Sequence, residues 1–181
     1  MADWLEDAEN GLTHEFRALL ADLAADLRYL DDRIVGLDER IAQCVKNDPV
    51  ARRLMELRGV GPLTASALAG ALGDGRAFSK GREFAASLGL TPRQHSTGGK
   101  ERLLGISKRG DGYLRKLLVH GARAVLRHAK HRDDPLSQWL NDLKTRKHVN
   151  VVTVALANKT ARIAWAIVHD ETVYDPMLAS G

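Results

Sequence analysis

The chain has 181 residues, enough for one hydrophobic core with a helical appendage. Hydrophobic residues make up 44% and charged residues 28%, which excludes a disordered chain. No uninterrupted apolar run approaches the roughly 18 residues that span a bilayer, so no membrane partner is expected. The formal charge of +4 conceals an asymmetry: residues 1–50 hold 12 Asp/Glu and 5 Lys/Arg, and the remainder holds 11 and 22. A basic body behind an acidic segment points to a polyanion partner for one and a protein contact for the other. The acidic start has the wrong sign for a secretory or transit peptide. Cys44 is the only cysteine, so no intrachain disulfide forms, and a reducing cytoplasm is the expected location.

The first element is a long helix with a seam. Leu20, Leu27, Ile34 and Ile41 recur every seven residues, as do Phe16, Leu23, Leu30, Leu37 and Cys44. Together they make the a and d positions of four heptads, with Asp, Glu and Arg residues on the solvated faces between them. Packing on its own domain is open to such a helix; unbroken heptads favour a coiled coil, either within the chain or between two protomers, and a homo-oligomer through this helix is expected. Gly36 falls outside the seam, and Asn47-Asp48-Pro49 stop the helix.

Residues 51–181 are read as a second, basic domain, also helical, and no strand alternation is found. Helices are expected over Val50–Arg58, Pro62–Leu72, Lys80–Leu88, Gly112–Arg127, Pro135–Lys144 and Val151–Val168. The fold class is therefore all-α: a coiled-coil-like N-terminal helix over 1–50, then a compact helical domain. Residues 89–111, polar, basic and glycine-rich, form the longest stretch without periodicity, and loops of that length inside a domain tend to be functional.

Two segments carry chemistry. Leu54 to Leu68 resembles the helix–hairpin–helix of DNA repair and recombination proteins. In it Gly59 and Gly61 would let the backbone turn and approach a ligand, and Val60 would plug the turn. Pro62 suits a first helical position, where the free amides and Thr64 would face a phosphate. A plain helix–helix turn spells similarly. The second segment, Gly89 to Lys116, has seven Lys/Arg against Glu101 and Asp111. Ser96 and Thr97 precede the paired glycines Gly98 and Gly99, which would present a hydroxyl on exposed backbone. Arg93, Lys100, Arg102, Lys108, Arg109 and Arg115 supply the cations that a phosphoryl group needs. By spacing alone this is a phosphate-binding loop.

Leu57 to Arg127 is similar, over some 70 residues in order, to the C-terminal transposase domain of the insertion-sequence 110/1111 family, the Piv-related transposases. The landmarks are Gly59-Val60-Gly61, Phe78, Ala85-Ala86-x-Leu88-Gly89-Leu90-x-Pro92, Ser96-Thr97-Gly98-Gly99-Lys100, Ile106-Ser107-Lys108-x-Gly110 and Leu114-Arg115. The resemblance implies DNA transposition through a serine-linked intermediate, guided by a structured RNA. The family's serine directly precedes the first glycine of this loop. Here Thr97 occupies that column and Ser96 lies one place earlier, so either hydroxyl is a candidate nucleophile. The family also implies an upstream RNase-H-like domain with four acidic ligands for Mg2+. Nothing in this chain resembles it, so the fragment is expected to bind nucleic acid without cutting it alone. A non-catalytic DNA- or RNA-binding module and a dimerisation fragment are the competing readings.

His128-x-x-His131 lacks further zinc ligands, and no metal site is expected. His95 and His120 lie near the loop as possible proton carriers. Phe78, Phe84, Trp139 and Trp165 stand at apolar helix positions and are read as core anchors.

Overall fold

The computed structural model describes residues 10–95 and 103–176. It divides into two compact units, residues 1–43 and 44–181. Helix α1, His14–Asn47, starts where the Thr13 hydroxyl accepts the Phe16 N–H at 3.2 Å. In the first unit most seam residues are exposed, Leu23 at 59% and Leu30 at 53%, while Leu20 and Ile41 are half-buried. Ala24 alone is buried among the described residues of that unit.

The second unit is a helical assembly with one small hairpin. Its elements are α2 (Pro49–Leu54), α3 (Pro62–Leu72), α4 (Gly81–Ser87), β1 (Pro92–Gln94), β2 (Leu103–Ile106), α5 (Gly112–His128), α6 (Pro135–Arg146) and α7 (Val149–His169). Three aspartates set three of the starts. Asp48 accepts the Val50 and Ala51 amides, Asp111 those of Tyr113 and Leu114, and Asp134 that of Ser137. Each such cap contributes about 1 kcal/mol by satisfying amides that have no partner inside the helix.

α7 is the central helix, packed against α2, α3, α4, α5 and α6. Its buried Ala157, Ala161 and Ala164 let neighbouring backbones come close, and Val152, Leu156 and Ile167 fill the space between. A Cβ at Gly81 would lie 2.9 Å from the Arg162 carbonyl oxygen, which shows how tightly α4 seats on α7. By length and a mean hydropathy of 1.4, α7 matches a membrane span, although no apolar run of that size was expected. Its buried residues are used by the core instead, and Lys159 and Arg162 interrupt its outer side.

Phe84, Trp139 and Trp165 sit on helices as read from their spacing, whereas Phe78 lies in the α3–α4 connection and packs on the core from there. Phe84 is buried and meets Phe78 edge-on at 5.3 Å. Trp165 donates its Nε1–H to the Gly75 and Phe78 carbonyls at 3.0 and 3.2 Å, fastening the α3–α4 connection to α7. Trp139 packs on the core edge under the Lys159 ammonium, 5.1 Å from its ring centroid.

Two expectations need correction. Residues 50–58 do not form one helix: α2 ends at Leu54, and Glu56 and Leu57 donate to carbonyls three residues back, tightening the chain into turns. Strands also occur where none was expected. β1 and β2 pair antiparallel with Pro92 opposite Ile106 and Gln94 opposite Leu103, and a bulge falls between. Such short strands, carrying Pro and Gly, leave no alternating pattern to read.

Candidate nucleic-acid interface

The basic loop leaves the end of α4 and returns to the start of α5, and its two feet are bound to each other. Ser107 N–H donates to Thr91 O at 2.8 Å, Lys108 N–H to Gly89 O at 3.1 Å and Asp111 N–H to Ser87 O at 3.1 Å. Two glycines make this approach possible. A Cβ on Gly89, at φ +67°, would collide with the Arg109 carbonyl oxygen, and one on Gly110, at φ +96°, with that of Ser87. Lys108 is held between the bonded feet at φ +57°, a left-handed conformation on the order of 1–2 kcal/mol above the usual one for a side-chain-bearing residue. Asn158, on α7, donates its side-chain amide to Leu90 O at 3.3 Å. No local pattern marks Asn158; only the fold brings it here.

From this base the β1–β2 stem projects, with Arg93, Lys108 and Arg109 exposed. Beside it lies a cleft of about 610 Å3, walled by Arg93 and Leu104–Lys108 from the hairpin and by Asn150, Val151 and Val154 from α7. Arg115 differs from the other cations. Its guanidinium donates to Leu88 O at 2.8 Å, so it is in part a strut beneath the loop. Ser96, Thr97, Lys100 and Arg102 lie outside the described residues.

The α2–α3 turn assigns its glycines unequally. Gly59 has φ +83°, and a Cβ there would lie 2.7 Å from Gly121 O on α5. Gly121 is equally constrained by the Gly59 carbonyl oxygen. The close approach read as ligand contact is thus backbone-to-backbone packing of the turn on α5. Gly61 is the open member, the N-cap of α3 in extended conformation with no side-chain cap and nothing within 4 Å of a Cβ. Val60 is buried as expected; Thr64 is also buried, which turns its side chain away from any phosphate.

A family model described as Transposase IS116/IS110/IS902 family matches residues 51–137, from α2 through the turn, the loop and α5 into α6. A "Probable family 20 transposase" of Pseudomonas aeruginosa is 53% identical over 158 residues, 87% of this chain and 47% of the relative. The chain belongs to the IS110/IS1111 transposase family. The transposase for insertion sequence element IS1111A of Coxiella burnetii is 43% identical, over 91% of this chain and 45% of its own length. The pilin gene-inverting protein of Moraxella bovis is 27% identical, over 83% and 48%. The chain therefore spans about half the length of the curated relatives it matches.

Within the transposase domain, Arg58 carries a polar knot behind the turn. Its Nη1 donates to Asp134 Oδ1 at 2.6 Å and to Ser137 Oγ at 3.1 Å. Burial alone would raise the Asp134 pKa, but the Ser137 amide and hydroxyl, with Arg58 and Arg132, outweigh it and lower it. His95, His128 and His131 are exposed, as is His120 on α5. Among the described residues no three His, Cys, Asp or Glu side chains gather as a metal-ligand set.

Proposed function

We propose that this chain acts in DNA transposition, with the 89–111 hairpin holding a DNA phosphodiester and supplying Ser96 or Thr97 as the nucleophile. The observation that carries the reading is the bonded base: Gly89, Gly110 and three backbone hydrogen bonds fix both feet of the connection whose sequence carries Ser96 and Thr97. The exposed Arg93, Lys108 and Arg109 put positive charge on the described part of the hairpin. In the reaction the side-chain oxygen bonds to phosphorus while one bridging P–O bond breaks, and the departing deoxyribose oxygen takes up a proton. Attack by a second DNA hydroxyl reverses the exchange, joins the strands and frees the side chain. One ester replaces another at each step, so no oxidant or external energy is needed.

A hydroxyl needs a base to remove its proton. The described residues do not form a Mg2+ site, and no step is assigned to a metal in this chain. Mg2+ and the activating groups belong, in this reading, to the RNase-H-like domain that the resemblance implies. A structured guide RNA and a second copy, joined through the α1 seam, complete the assembly.

The experiment is to trap the protein–DNA adduct with a full-length transposase carrying this domain, its DNA and its guide RNA. Mass spectrometry then maps the modified residue in wild type, Ser96→Ala and Thr97→Ala. Loss in one single variant names the nucleophile. An adduct that survives the double variant rejects the covalent role and leaves a binding module.

A further inference from the structure

α5 buries Leu114, Leu118, Ala122 and Leu126 in the core. On its opposite side Lys116, His120, Arg123 and Arg127 are all exposed. At helical geometry these four fall within an arc of about 60° and follow one another along about 16 Å of axis. No Asp or Glu occurs anywhere in Gly112–His128. Among the described residues none of Lys116, Arg123 and Arg127 forms an ion pair, whereas Arg76 and Arg132 pair with Asp74 and Asp134. Like charges four residues apart, as at Arg123 and Arg127, weaken a helix. A face that served only solubility would intersperse the signs. Lys116 is further oriented by Tyr113, with its ammonium 5.7 Å from the ring centroid.

We propose that the outer face of α5 is a second binding surface, which follows the phosphodiester backbone of a nucleic-acid duplex. Each strand of duplex DNA carries one charge per about 3.4 Å of axis, so a straight run of cations on a single helix meets several phosphates of one strand. α5 contains no Asn, Gln, Asp or Glu, so its contacts position a backbone and discriminate little among bases. The surface begins one turn after the returning foot of the hairpin, so one duplex can engage both. The proposal rests on the nucleic-acid part of the function above and is independent of the nucleophile.

The test measures anisotropy of labelled duplex DNA and duplex RNA with the full 181-residue chain, between about 50 and about 200 mM salt. The variant Lys116→Gln/Arg123→Gln/Arg127→Gln is expected to bind at least tenfold more weakly. On DNA its slope of log affinity against log salt should fall by about 2 to 3. The duplex whose binding changes identifies the polymer. A control, Lys144→Gln/Arg146→Gln/Lys147→Gln, removes equal charge elsewhere and should alter the slope little. Circular dichroism checks each fold; should the triple variant unfold, Arg123→Gln alone should lower the slope by about 1. Unchanged affinity and slope on both duplexes overturns the surface and leaves nucleic-acid binding in place. Equal loss in the control also overturns it, since net charge would then suffice. A wild-type chain that binds neither duplex, or binds only phosphatidylserine vesicles, overturns both readings.

Discussion

Gly61, Gly59 and Gly110 look equivalent in a sequence, yet the fold treats them differently. Gly110→Ala places a methyl group against the Ser87 carbonyl at positive φ and is expected to cost about 2 kcal/mol or more in urea unfolding. Gly61→Ala meets nothing and keeps an ordinary φ, so its effect should stay under about 1 kcal/mol, chiefly a poorer cap. Equal losses in the two variants would contradict the bonded-base description. The motif spelling Gly59-Val60-Gly61 predicted a sharp turn and could not predict its neighbour, because Gly121 lies on a different helix. A second residue-scale expectation concerns acid. The Asp134 carboxylate is held below its ordinary pKa, so its contribution is fully present above about pH 4 and is lost as pH falls through the lower folded value. Asp134→Asn should be less stable at neutral pH and should lose less on acidification below pH 4, as followed by thermal melts across a pH series.

At the scale of elements, helices with clear starts were legible. Pro62–Leu72 falls where its Gly-Pro start and Gly73 place it, and α5, α6 and α7 depart from expectation by one or two residues at their ends. The hairpin was not legible: its stem is three and four residues long and is made by tertiary bonds to Ser87, Gly89 and Thr91 rather than by alternation. Composition alone marked the loop, whereas the role of Arg115 as a strut depends on Leu88 coming within reach. The second unit takes in Cys44, so its edge precedes residue 51. Val45 is 2% exposed in the core, and Asp48 caps α2. A fragment beginning at Cys44 should fold and bind duplex nucleic acid with steep salt dependence. One beginning at Ala51 loses that valine and that cap, and should be less stable by about 2 to 4 kcal/mol. Equal denaturation midpoints for the two fragments would show that residues 44–50 contribute nothing.

For the whole molecule, the exposed seam of α1 is the feature that the second unit's core does not explain. Phe16, Leu23, Leu30 and Leu37 are each close to half exposed or more, a large apolar stripe for one chain in water. Replacing Leu30 and Leu37 with Asp should lower the particle mass by light scattering while the circular dichroism of the second unit is retained. An unchanged mass would remove the seam from the assembly.

Cys44 ends that stripe, and its thiol is exposed. If two chains align head to head in register, the thiols face one another, and mild oxidation yields a covalent dimer on a non-reducing gel. If they align head to tail about Leu30, each cysteine lies opposite the other chain's Phe16, about 42 Å along the axis from its counterpart, and no such band forms. The thiol therefore reports the polarity of pairing without any added label.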